Sequence, residues 1–249
     1  MISLIRICHP VTPLARQGSG RRTLLNQWST GSGGKLSTMK DLTPAQAWQV
    51  VKEGNERFVR GESIHPSQGI ADRAKLVGGQ APHVVLFGCG DSRVAAEVIF
   101  DQGLGDMFVV RTAGHVLDAS VLGSIEFGVE YLNVPLIVVL GHDSCGAISA
   151  TLRALDELEL PGGYVRSIVE RVAPSVIAGR GEGLTRVDEF EAKHVNETGK
   201  LLMDRSRIIA ERVADGRLAI VGLNYHLNDG AVNMSGLIGD IGEDMPTTA

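Results

Sequence analysis

The stretch VVLFGCGDSRV, Val84–Val94, runs from apolar residues into a cysteine, an aspartate and an arginine at alternate positions. A short apolar run without polar alternation reads as a strand covered on both faces, so Cys89, Asp91 and Arg93 fall just past its carboxyl end. The stretch PLIVVLGHDSCG, Pro135–Gly146, is built the same way: the run stops at Gly141, and His142 and Cys145 follow. Met107–Arg111 and Leu218–Gly222 complete a set of four buried strands, with Val84–Gly88 and Leu136–Gly141.

Helical patterns separate these strands. DASVLGSIEFGVEYLN opens on a capping Asp118 and puts Val121, Leu122, Ile125, Val129 and Leu132 on one side. CGAISATLRALDEL follows the third strand, and Glu191–Asp215 carries Val195, Leu201, Leu202, Ile208, Ile209 and Val213. The glycine-rich 161–185 region reads as a loop or helical insertion. Near the start, Thr43, Pro44 and Gln46 form a capping box and first helical turn, followed by Ala47, Trp48, Val51 and Phe58 at helical spacing. That helix docks on its own domain or lies across a partner subunit. Strand–helix alternation implies right-handed crossovers, hence one α/β domain with a mostly parallel sheet of four to five strands flanked by helices. In such sheets the ligand crevice lies beyond the carboxyl ends of the strands. If the first and third strands are neighbours, Cys89, Asp91, His142 and Cys145 meet at one sheet edge.

Composition narrows the classes. A chain of 249 residues, 43% hydrophobic, buries a full core, and 31 glycines with only 4% aromatics suit tight helix–sheet packing. A net charge of −5 argues against a dedicated nucleic-acid binder, and no apolar run approaches the 18 residues of a membrane span. The three cysteines, Cys8, Cys89 and Cys145, give no disulfide framework and suit a reducing cytoplasm. Residues 1–38 hold Arg6, Arg16, Arg21, Arg22 and Lys35 and no acid, so that segment is +5 and the rest −10. It reads as a disordered extension or as residues upstream of a true translation start at Met39, with an organelle transit segment as the competing reading. The folded domain is expected over residues 39–249.

Two thiols and an imidazole are zinc ligands of the catalytic Cys₂His type, which keeps a fourth position for water or substrate. Asp91 could fill that position and close the site, or pair with Arg93 through charge-assisted bonds and leave it to water. Water on the dication has its pKa lowered to about 7, giving a hydroxide suited to a small neutral electrophile. His-x-x-Cys alone is a weak signal. Two half-sites, each after a buried strand and 53 residues apart from Cys89 to His142, are a stronger one.

CGDSR and GHDSCG, with DQGLGDMFVVRTAGHV between them, resemble the β-class carbonic anhydrases, most closely the actinobacterial members. The resemblance runs from about Thr43 to the C-terminus. It implies reversible hydration of carbon dioxide to bicarbonate and a proton, with one Zn²⁺ per subunit on Cys89, His142 and Cys145. It makes Asp91 and Arg93 the catalytic dyad that gates and orients the metal-bound water. It further implies a strand order near 2-1-3-4, and a homodimer or homotetramer whose N-terminal helix embraces the partner. Gln80 matches a glutamine that reaches substrate across the dimer, Phe108 and Ala113 match positions lining the carbon dioxide pocket, and Gly146 matches a glycine whose amide faces it. Phe127 stands where many relatives have tyrosine. Leu86 stands where members with a regulatory bicarbonate site carry tryptophan, so that feature does not carry over, although Arg111 is present. His115 is a candidate proton shuttle, with a histidine satisfied inside its loop as the alternative.

Three other readings use the same residues. A zinc hydrolase of a sulfur analogue of carbon dioxide would share the ligands. Thiol catalysis by Cys145 with His142 as base leaves Cys89, Asp91 and Arg93 without a role. A sensor with Asp91 permanently on the metal gives Arg93 nothing to do.

Overall fold

The computed structural model describes residues 42–245; the expected N-terminal extension over 1–38, with Cys8, lies outside that range. Four parallel strands, β1 (Val84–Cys89), β2 (Met107–Thr112), β3 (Leu136–His142) and β4 (Ala219–Tyr225), stand in the order β2-β1-β3-β4. This is the order the resemblance implies. A fifth strand, β5 (Val232–Ile238), adds to β4 in the antiparallel sense through a hairpin at Asp229–Gly230. Gly230 there has φ +77°, and its N–H donates to His226 O at 2.9 Å. Compared with the sequence reading, β1 and β3 each run one residue further. Cys89 and His142 are therefore the last residues of two hydrogen-bonded neighbours.

Helix α1 (Pro44–Val59) begins at the expected box, with Gln46 N–H donating to Thr43 Oγ1 and Thr43 N–H to Gln46 Oε1. Its Ala47, Trp48 and Val51 are buried against Val84, Leu86, Leu136, Val138 and Leu140 of its own sheet. Asn55 donates to Ile99 O and Gly230 O, and Arg57 pairs with Asp101 at 2.6 Å, so the helix docks on its own chain. After it come α2 (Ile70–Lys75), a 3₁₀ turn at Leu76–Gly78, and α3 (Ala96–Ile99).

The opposite face of the sheet, Val85, Phe87, Ile137, Val139 and Ile220, is covered by three helices. These are α4 (Ala119–Glu130), capped by Asp118, then α7 (Val187–Arg205) and α8 (Arg207–Ala214). The long pattern over Glu191–Asp215 is thus two helices, broken at Ser206, whose Oγ accepts Ile209 N–H and caps the second. Between α4 and α7 lie α5 (Gly146–Glu157) and α6 (Val165–Gly181), so the glycine-rich region is mostly helix, with Pro174 inside it. Among the described residues no helix is long and apolar enough to cross a membrane.

Gly128 of α4 sits so close to β1 that an added Cβ would run into Val85 Cγ2. Gly128→Ala is expected to cost about 1–3 kcal/mol by overpacking. The check is a lower urea midpoint at unchanged slope; an unshifted midpoint would contradict this helix–sheet contact.

Candidate metal centre

Each donor is placed by backbone geometry. Cys89 ends β1 and His142 ends β3. The chain then turns through Asp143 and Ser144, the latter in the left-handed region at φ +54°, and delivers Cys145 as the N-cap residue of α5. The donor atoms of Cys89, His142 and Cys145 all lie within 4.8 Å of one another, and all three residues are buried. Both cysteines are free thiols.

The imidazole is oriented for a cation. His142 Nδ1 is 2.8 Å from Asp143 O, a carbonyl that can only accept, so Nδ1 carries the proton. Nε2 is left as a buried lone pair with no hydrogen-bond partner. A buried acceptor without a donor is costly, and a metal ion between it and the two sulfurs would satisfy it. The thiols agree with this fit. The neighbouring Cys145 thiol, with burial opposing it and His142 and the Gly114 N–H helping, lowers the pKa of Cys89, while Cys89 and burial raise that of Cys145. One thiolate is thus already favoured, and a dication would deprotonate the other. These residues fit a Cys₂His metal.

Asp91, in the loop after β1, is outside that cluster: its Oδ2 is 3.9 Å from His142 Nε2. Arg93 holds it instead. Nε reaches Oδ1 at 3.0 Å, Nη2 reaches Oδ2 at 2.7 Å, and the Arg93 backbone N–H adds a bond to Oδ1 at 2.9 Å. The guanidinium keeps the Asp91 carboxyl well below the usual carboxylate range. Arg111 donates to Cys89 O at 2.9 Å and Asp91 O at 2.6 Å, stapling the loop that carries both residues.

A cleft of about 420 Å³ opens on this group. Its floor is made of small residues, Gly90, Ala113, Gly114, Gly146 and Ala147, and its wall is Ala150, Val165, Ile168 and Val169. Ala113 and Gly146 line this cleft. Gln80 and Phe108 do not line this chain's cleft: Gln80 is exposed before β1, and Phe108 packs on the α4 side against Phe127, ring centroids 6.0 Å apart. A larger cleft of about 850 Å³ between α4, α6 and α7 contains none of the donor atoms.

Helix α7 adds groups that motif reading missed. Glu191, 1% exposed, accepts the His142 backbone N–H at 3.3 Å, and burial, against the pull of His142, pushes its carboxyl up to about 7. His115 is neither of the things expected of it. It is fully buried, its Nδ1 is 3.7 Å from Glu191 Oε1, and neither ring nitrogen makes a hydrogen bond. Burial holds its pKa well below the ordinary value, so it lacks both the exposure and the basicity of a shuttle. Glu191 and His194 lie three residues apart, with Val195 beside them in the core; that spacing on the apolar side of a helix was the available signal.

A mostly parallel α/β sheet with two thiols and an imidazole converging beyond its carboxyl edge defines a class of protein with a Cys₂His group able to hold a metal ion. Comparison with known proteins agrees and narrows the class. The family profile described as Carbonic anhydrase matches residues 84–232. Carbonic anhydrase 2 of Mycobacterium tuberculosis is 63% identical over 207 residues, covering 83% of this chain and all of that protein. The carbonic anhydrase of Mycolicibacterium smegmatis is 64% identical over 205 residues, 82% of this chain and all of its own. A tetrameric β-carbonic anhydrase of Sordaria macrospora superimposes with a TM-score of 0.61 at 25% identity, over 76% of this chain and 96% of its own. The chain belongs to the β-carbonic anhydrase family, with the actinobacterial members.

Proposed function

We propose that this chain catalyses the reversible hydration of carbon dioxide to bicarbonate and a proton, with one zinc ion per subunit held by Cys89, His142 and Cys145. The observation that carries this reading is the buried Cys–His–Cys group with its unpartnered Nε2, opening on a small apolar cleft. When bound there, zinc supplies the Lewis acidity that lowers the pKa of a coordinated water to about 7.

The chain's own residues do the rest. The apolar wall of Val165, Ile168 and Val169 holds a small neutral substrate and excludes bulk water from it. Asp91, kept ionised by Arg93, can only accept hydrogen bonds, so it holds the hydrogen of the attacking oxygen and turns the lone pair toward the cleft. The same negative charge disfavours a bare oxyanion beside it and so assists product release. Gly146 is the first residue of α5, and its N–H, at the positive end of a 12-residue helix, faces charge developing on a bicarbonate oxygen.

The assembly read from the sequence, a homodimer or homotetramer, supplies what the single chain lacks. Gln80, exposed and not part of the lining of its own cleft, is assigned to substrate across the dimer, and Phe108 on the edge strand β2 is assigned to the carbon dioxide pocket. The free thiols of Cys89 and Cys145 suit a reducing cytoplasm.

Metal analysis and stopped-flow assay test the proposal together. The purified protein is expected to carry one zinc per chain, to lose carbon dioxide hydration on chelation and to regain it with added zinc. Zinc-dependent hydrolysis of carbon disulfide without carbon dioxide hydration would replace the proposal with the sulfur-analogue reading. Activity untouched by removal of the metal would overturn it.

A further inference from the structure

Gly114 lies beneath the centre in the left-handed region, φ +62° and ψ +26°, and a Cβ there would meet Ala147 Cβ at 2.5 Å. Its N–H donates to Cys89 Sγ at 3.3 Å. Glycine is the residue least able to hold its own backbone angles, so an amide aimed at sulfur from this position needs something to fix it. The Gly114 carbonyl is fixed by His194, whose Nε2 lies 3.0 Å away. That carbonyl only accepts, so Nε2 carries the proton. Burial pulls the pKa of His194 down to about 4, so the ring is neutral and Nδ1 must accept. Its donor is Ser175 Oγ at 2.9 Å. The chain of donation thus runs Ser175 to His194 to Gly114, and from Gly114 to the sulfur. The imidazole also lies against His115, ring centroids 4.4 Å apart, which limits its rotation.

We propose that His194 and Ser175 are positioning residues for the metal centre: Ser175 selects the tautomer of His194, His194 pins Gly114, and Gly114 sets the direction of the hydrogen bond to the Cys89 thiolate. The inference rests on the reading of Cys89 as a metal ligand. A donor to a ligating thiolate governs how much charge the sulfur gives the metal and how firmly it is held. Neither residue touches the reaction cleft; both line the separate cleft of about 850 Å³.

The test is made on the metal-loaded protein, with zinc release to a chromophoric chelator and the thiolate-to-metal charge-transfer band of the Co²⁺-substituted form as readouts. His194→Phe keeps a ring against His115 but removes the donor. It is expected to release zinc about tenfold faster and to shift the cobalt band. His194→Gln, which restores a donor amide, is expected to recover most of both. Folded His194→Phe protein with release rate and band equal to wild type would overturn the inference while leaving the zinc reading intact. If His194→Phe does not fold, Ser175→Ala compared with Ser175→Thr decides between the outcomes. Faster release and a moved band in the alanine variant alone support the proposal, and identical behaviour of the two overturns it. Wild-type protein that takes up neither zinc nor cobalt would remove the underlying reading as well.

Discussion

Cys145→Ser is expected to leave a folded protein that neither retains zinc nor hydrates carbon dioxide, with activity down on the order of 10³-fold or more because the Lewis acid is gone. Cys145 is fully buried and heads α5, where a serine is a good N-cap, so the backbone has no reason to move. The chemistry changes completely. A hydroxyl is a harder and far less acidic donor than a thiol, and it leaves one sulfur and one imidazole where three donors stood. His142→Ala should lose metal in the same way, since it deletes the imidazole Nε2, a buried lone pair that no hydrogen bond satisfies. Metal content by mass spectrometry, circular dichroism and the hydration rate check both. A Cys145→Ser protein with stoichiometric zinc and a wild-type rate would show that the ligand set is something other than Cys89, His142 and Cys145.

What could be read from the residues follows from where each is buried. Strands β1, β3 and β4 are covered on both faces, so their sequences are short runs of mostly apolar residues without polar alternation, and the sheet and its ligand edge were legible. β5 was not. As a half-buried edge strand it tolerates Asn233, Ser235 and Gly236, and only the Asp229–Gly230 turn announced it. Helix α6 was obscured by its flanking glycines and Pro174, and the break between α7 and α8 by having neither Gly nor Pro, only the Ser206 cap. The ligands were visible because they sit at strand ends. Glu191 and His194 were not, because a motif is contiguous and their contacts to His142 and Gly114 span 49 and 80 residues. Gln80 and Phe108 show the other limit: a family likeness names a position, but neither side chain lines the cleft of its own chain.

Asp91→Asn and Arg93→Ala are each expected to retain zinc and lose carbon dioxide hydration by about 10²–10³-fold, the range for removing a positioned proton-handling group. The asparagine is nearly isosteric, but its amide turns a donor toward Arg93 Nη2, where Asp91 Oδ2 now accepts at 2.7 Å, and removes the acceptor that would hold the attacking oxygen's hydrogen. Arg93→Ala leaves the carboxylate in place without the two side-chain bonds that aim it. Stability separates this role from that of an ordinary ion pair. The Arg93 side chain is 53% exposed, and pairs so open to water contribute little to folding, so the urea midpoint should scarcely move while the rate collapses. The double variant should fall about as far as either single one, because both substitutions disable the same unit. Additive losses would mean that Asp91 and Arg93 act separately, and near-wild-type rates in both single variants would leave the pair with no part in the reaction.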